Sequence, residues 1–168
     1  MQSFTQPPDR LNLNLMIGLS LSLLIGLSLS QTAAASDANL GPSGGVSLSG
    51  EAGGTTSLLA AIAQAPRDQF GNACLGFGTA TANHHLTVSE PRSNIMFQVE
   101  SHDRRNQDTT LVVKGPNGFL LCGDDTSSTN PAAQAIANEL PSGTYDIWVG
   151  SFDQKVRMSY TLTIQPKP

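Results

Sequence analysis

Residues 141–150 read Pro141-Ser142-Gly143-Thr144-Tyr145-Asp146-Ile147-Trp148-Val149-Gly150, and residues 159–164 read Ser159-Tyr160-Thr161-Leu162-Thr163-Ile164. In both, every second residue is apolar. Tyr145, Ile147 and Val149 alternate with Thr144, Asp146 and Trp148, and Tyr160, Leu162 and Ile164 alternate with Ser159, Thr161 and Thr163. Period-two alternation sets one face on a core and the other toward water, which is the signature of a strand. The same pattern recurs upstream in Leu86/Val88, Ile95/Phe97/Val99 and Leu111/Val113. Turn signals fall between these runs at Glu90-Pro91, Gly115-Pro116-Asn117-Gly118 and Pro141-Ser142-Gly143. Asn-Gly between two alternating runs predicts a tight hairpin. Short strands with frequent turns predict an all-β fold: an antiparallel, jelly-roll-like β-sandwich of about 7–8 strands over residues 67–168.

One segment pulls the other way. Asn130-Pro131 followed by AAQAIANEL offers an N-cap Asn, Pro at the first helical position, and Ala133, Ile136, Ala137 and Leu140 at helical spacing. Its neighbours and the resemblance described below favour a strand for 131–140.

The first 66 residues are of another kind. Arg10 precedes an apolar run from Leu11 to Leu29, and Ala33-Ala34-Ala35 follows. Charged start, apolar middle and A-x-A end make residues 1–35 a secretory signal peptide, with cleavage expected before Ser36. About 20 apolar residues can also span a bilayer as an uncleaved anchor, a reading that Asn12, Asn14 and the A-x-A site weigh against. No Cys stands at the end of the run to take a lipid. Residues 36–66, rich in Gly, Ser and Ala, read as a flexible linker. Gly41-Pro42-Ser43-Gly44-Gly45 matches G-x-S-x-G, but that chemistry needs a strained turn between strand and helix, and a linker does not provide it.

Charge follows the same division. The 168 residues carry 9 Lys and Arg against 13 Asp and Glu, and only four of these lie before residue 67. No cationic run exists to neutralise phosphates, so nucleic acid is excluded as a partner. A membrane is a partner only if the N-terminal segment is retained. Cys74 and Cys122 both lie in the exported part, where an even count favours a disulfide over two buried thiols. A structural zinc site would need more thiolates.

The segments Asp108–Gly118, Leu121–Asp125, Pro141–Gly150 and Tyr160–Ile164, in that order and spacing, resemble the bacterial pre-peptidase C-terminal domain. The pieces are a D-x-x-L strand, a G-P-x-G turn, an acidic turn, G-T-Y-x-I-x-V-G and a terminal Y-T-L-T-I strand, and the resemblance covers residues 94–165. It implies a jelly-roll-like sandwich that serves as a non-catalytic accessory module of exported proteins. Some relatives bind calcium, and some collagenase-associated relatives bind substrate fibres. The segment before residue 67 is too short to hold a peptidase, so the resemblance is to the module alone.

Three groups of residues are candidates for chemistry. Asp124 and Asp125, with Asp108 and Asn130, can supply oxygens to calcium, which takes 6–8 of them from irregular loops. The plainer reading is that Asp and Asn form the turn itself. From adjacent strand positions Asp124 and Asp125 would face opposite sides, so sharing an ion requires an irregular backbone. Trp148 falls on the polar face, where a bare ring can stack on a sugar or a partner side chain. Cover by a loop, the second sheet or Arg157 is the alternative. His84 and His85 point to opposite faces if they lie on a strand and cannot share a metal. With His102 they read as solvated or half-buried histidines, and Arg104-Arg105 as a solvated turn. The function expected is a secreted or periplasmic, non-catalytic binding module for a protein, a polymer or calcium. A membrane-tethered envelope domain is the alternative, and a small hydrolase a distant third because nothing orders Ser, His and Asp as a triad.

Overall fold

The computed structural model describes residues 1–2, 34–42, 44–103, 105 and 107–168. The signal-peptide reading of residues 1–35 lies outside the described residues except for Met1, Gln2, Ala34 and Ala35, as do Ser43 of the G-x-S-x-G match and Arg104. The chain divides into two units, and the second, Ala33–Pro168, is the one treated below. Among the described residues no helix is long and apolar enough to cross a membrane.

Among the described residues of this unit there are eleven strands: β1 (Ser36–Leu40), β2 (Val46–Ala52), β3 (Thr56–Ser57), β4 (Phe77–Gly78), β5 (His84–Val88), β6 (Arg92–Ser101), β7 (Thr109–Lys114), β8 (Leu120–Ser127), β9 (Asn130–Leu140), β10 (Gly143–Ser151) and β11 (Met158–Pro166). The first sheet runs β1-β5-β10-β7-β8, and the second β8-β9-β6-β11-β2. β8 belongs to both: Leu120–Gly123 pairs with β7, while Asp124 onward pairs with β9. A Cβ at Gly123 would lie 2.8 Å from the Gln134 carbonyl oxygen, so the crossing strand passes too close to β9 for any other residue. The hairpin foreseen at Asn117-Gly118 is present. Both residues have positive φ (55° and 78°), as a type I′ turn demands, and the Phe119 N–H closes it on Pro116 O at 3.0 Å.

The inward faces are those the alternation assigned. Tyr145, Ile147, Val149, Tyr160, Leu162, Ile164, Phe97, Val99, Leu111 and Val113 are buried in one core between the sheets. Tyr145 also donates its hydroxyl hydrogen to Pro141 O at 2.6 Å, fixing the entry to β10, and burial pushes its phenol pKa up to about 12. Residues 131–140 are a strand. Local helical spacing yields there to ladders on both sides, with β6 and β8.

The linker expectation for residues 36–66 does not hold, and the strand number exceeds 7–8 for the same reason. Ser36–Leu40 pairs in parallel with β5, and Val46–Ala52 pairs antiparallel with β11 across seven residues. Leu58–Ala63 forms a π-helical segment, started by Ser57, whose hydroxyl accepts the Ala60 N–H at 3.1 Å. It sets Leu58, Ile62 and Ala63 on the outer face of the first sheet, against Val112, Trp148, Cys74 and Cys122. Composition misled because a short Gly/Ser-rich strand is stabilised by its neighbours rather than by its own propensity. At Gly50, for instance, the missing side chain leaves room for the Tyr160 ring.

Candidate cation site

Asp108 stands directly before β7, and Asp124-Asp125 lies where β8 leaves the first sheet for the second. One carboxylate oxygen from each falls within 4.8 Å of the others. Regular pairing would hold Asp124 and Asp125 to opposite faces, but β8 changes partner before Asp124 and its ladder with β9 shifts register after Asp125. The two carboxylates nonetheless come together on this stretch, between the change of partner and the register shift.

The electrostatics are costly without a counter-charge. Oδ1 of Asp108 and Oδ1 of Asp124 are both buried and accept no hydrogen bond from the described residues. Burial, then the charges of Asp124, Asp125 and Asp153, raises the Asp108 pKa above the ordinary carboxylate value. Burial and Asp125 raise that of Asp124, against a smaller opposing effect of the Asp125 backbone N–H. Asp153, which no sequence pattern singled out, reaches the site from the β10–β11 loop, whose Phe152 N–H donates to Asp108 O at 3.1 Å. A groove of about 290 Å³ lined by Asp108, Asp153, Arg105 and Pro131 opens beside the cluster. The donor set is all oxygen, which suits a hard cation such as calcium.

The pH dependence follows from the sign of these shifts. A carboxylate whose folded pKa is raised binds its proton more tightly in the folded state. It therefore favours folding below the unfolded value of 3.8 and loses that contribution as pH rises through the raised pKa. In chelator, stability contributed by the cluster should fall as pH rises from 3.5 toward neutrality. His84 acts oppositely: burial, then His85, lowers its pKa from 6.5 to about 4, so its contribution falls as pH drops through that window. Comparing the Tm–pH curves of the native chain and Asp124→Asn separates the two. If the curves remain parallel between pH 3.5 and 6, the cluster carries no such strain.

The remaining candidates are dispersed. Asn130 spends its side-chain oxygen on the Ala132 N–H at 3.1 Å, an Asx turn opening β9. It lines a separate polar groove of about 390 Å³ with Gln98, Glu100, Ser101 and Gln107. Trp148 is not an open stacking platform: it is 8% exposed beneath the 58–63 segment and the disulfide. Arg157 does not provide this cover; it pairs with Glu51 at 3.3 Å, and both are exposed. Cys74 and Cys122 are joined, the pairing that their even count favours. His84 and His85 do point apart. His84 is buried between Ser36 Oγ (2.5 Å from Nδ1) and Tyr160 OH (2.6 Å from Nε2), whereas half-exposed His85 holds Asp146 at 2.6 Å. His102 meets Thr161 Oγ1 at 2.9 Å, and Arg105 is exposed.

No family model matches the chain, and no curated protein matches it. A solved structure does. The chain is similar to the pre-peptidase C-terminal domain of collagenase from Bacillus anthracis, at 12% identity and a TM-score of 0.46, over 80% of this chain and 99% of that one.

Proposed function

We propose that this protein is an exported, non-catalytic β-sandwich module that binds calcium through Asp108, Asp124 and Asp125 and presents its surface to a protein or polymer outside the cytoplasm. The observation that carries the reading is the pair of buried, partnerless carboxylate oxygens on Asp108 and Asp124. A native fold rarely keeps such atoms without a compensating ligand. The disulfide and the leader-like residues 1–35 support export. The absence of catalysis is supported by the way the catalytic types are split. The Ser–His contact is made by His84 and the His–Asp contact by His85, on opposite faces, and His84 spends its second nitrogen on Tyr160. A nucleophile, its base and an orienting acid must form one chain of hydrogen bonds.

Calcium at 100 times its dissociation constant should stabilise the protein by about 2.7 kcal/mol. For a domain of this size that raises Tm by roughly 8–10 °C. Asp124→Asn should abolish the calcium-dependent rise while leaving the chelated protein at least as stable, because a repulsive charge is gone. Scanning calorimetry with calcium and with chelator reads both. An identical Tm in the two conditions would remove calcium from the proposal.

A further inference from the structure

The fold begins where the leader-like sequence ends. β1 starts at Ser36, the residue following Ala33-Ala34-Ala35, and is tied down from its first atom. The Ser36 N–H donates to Asn83 O at 3.1 Å, and its Oγ lies 2.5 Å from His84 Nδ1. His84 in turn reaches Tyr160 OH on β11, and both side chains are buried. Ala34, two residues earlier, is exposed, and so is Ser36 itself, which is held by these two bonds rather than by burial. Five residue pairs from Ser36↔His84 to Leu40↔Val88 then fix β1 on the edge of the first sheet.

We infer that the Ala35–Ser36 peptide bond is the processing site, and that the amino group it releases is a structural element of the mature protein. A leader-removing protease of the export machinery hydrolyses this amide. Water supplies the hydroxyl to the Ala35 carbonyl carbon, and the nitrogen of Ser36 takes the proton and leaves as an amine. The small side chains at Ala33 and Ala35 meet what such a protease requires. The new ammonium keeps the Asn83 carbonyl as acceptor, and the hydroxyl keeps His84. Cleavage thus removes the leader without loosening the strand that follows it. This inference rests on the export reading above but not on calcium.

An N-terminal serine carries adjacent amine and hydroxyl groups, which periodate cleaves at the Cα–Cβ bond. The products are an aldehyde at the chain end, formaldehyde, ammonia and iodate. The full chain, expressed in a bacterial host that exports it, is collected from each compartment, its amino terminus sequenced, and its oxidation rate compared in buffer and in urea. We expect a protein beginning Ser-Asp-Ala-Asn-Leu, oxidised about tenfold more slowly when folded, the factor set by opening two hydrogen bonds first. A protein exported but beginning elsewhere overturns the site and leaves export standing. An uncut chain retained in the cytoplasm overturns both. Equal rates with and without urea overturn the structural role of the amine.

Discussion

Replacing Cys74 and Cys122 together by Ser is expected to cost about 4 kcal/mol of stability and to lower Tm by more than about 10 °C. The bond spans 48 residues and closes a loop that the unfolded chain would otherwise leave free, and the chain-entropy model converts that length into the stated cost. A second contribution comes from the folded side. The two sulfurs lie in the small core with Leu58, Val112 and Trp148, so hydroxyls placed there would be buried among apolar groups. Urea titrations of the native protein with and without reductant, and of the double variant, measure the effect. A reduced protein that unfolds at the same urea concentration as the oxidised one would show that the loop needs no clamp.

Asp68→Ala is expected to cost about 3–4 kcal/mol, far more than a surface carboxylate would. Asp68 is 8% exposed, and its two oxygens accept four hydrogen bonds. Oδ1 takes the N–H groups of Phe70 and Asn72, each at 2.8 Å, while Oδ2 takes Asn72 Nδ2 at 2.9 Å and the buried Cys122 N–H at 2.8 Å. Truncation leaves the Cys122 N–H without an acceptor inside the protein, and an orphaned buried donor bears its full desolvation penalty. Asp68→Asn keeps one acceptor and should lose roughly half as much. Hydrogen exchange at the Cys122 amide offers a local reading, since its protection should collapse in Asp68→Ala. Persistence of that protection would contradict the role assigned to the carboxylate. Because Asp68 and the disulfide anchor the same loop to β8, the combined variant should lose less than the sum of the two.

The sandwich was legible where strands have one dry and one wet face. Tyr145-Ile147-Val149 and Tyr160-Leu162-Ile164 alternate strictly, and both sets are buried. The Asn117-Gly118 turn was legible because left-handed backbone selects those residues. Trp148 was misleading because β10 is covered on both sides, and alternation cannot report a second cover contributed by a distant segment. β2 alternates as well, Val46 and Leu48 against Ser47 and Ser49, but its inward residues continue as Gly50 and Ala52, too small to register as a core. The acidic cluster was legible as composition, with Asp108, Asp124 and Asp125 brought together and Asn130 drawn into a turn instead. The Asp68–Cys122 bond and the Ser36–His84–Tyr160 chain left no trace in the sequence, because each joins residues 48 or more apart that meet only when the sheets assemble.

The direction of the terminal strands has a mechanical consequence. β1 begins at Ser36 beside Asn83 and ends at Leu40-Gly41, where Gly41 O accepts from Arg92 Nη1 at 2.9 Å. β11 finishes at that same end, with Pro166 opposite Ile95 and the Lys167 N–H on Asn94 O at 2.7 Å. Ser36 and Pro168 therefore leave the sandwich from opposite poles. A pull between these two ends therefore runs along the strands and strains every rung of the β1–β5 ladder together, instead of peeling them one after another.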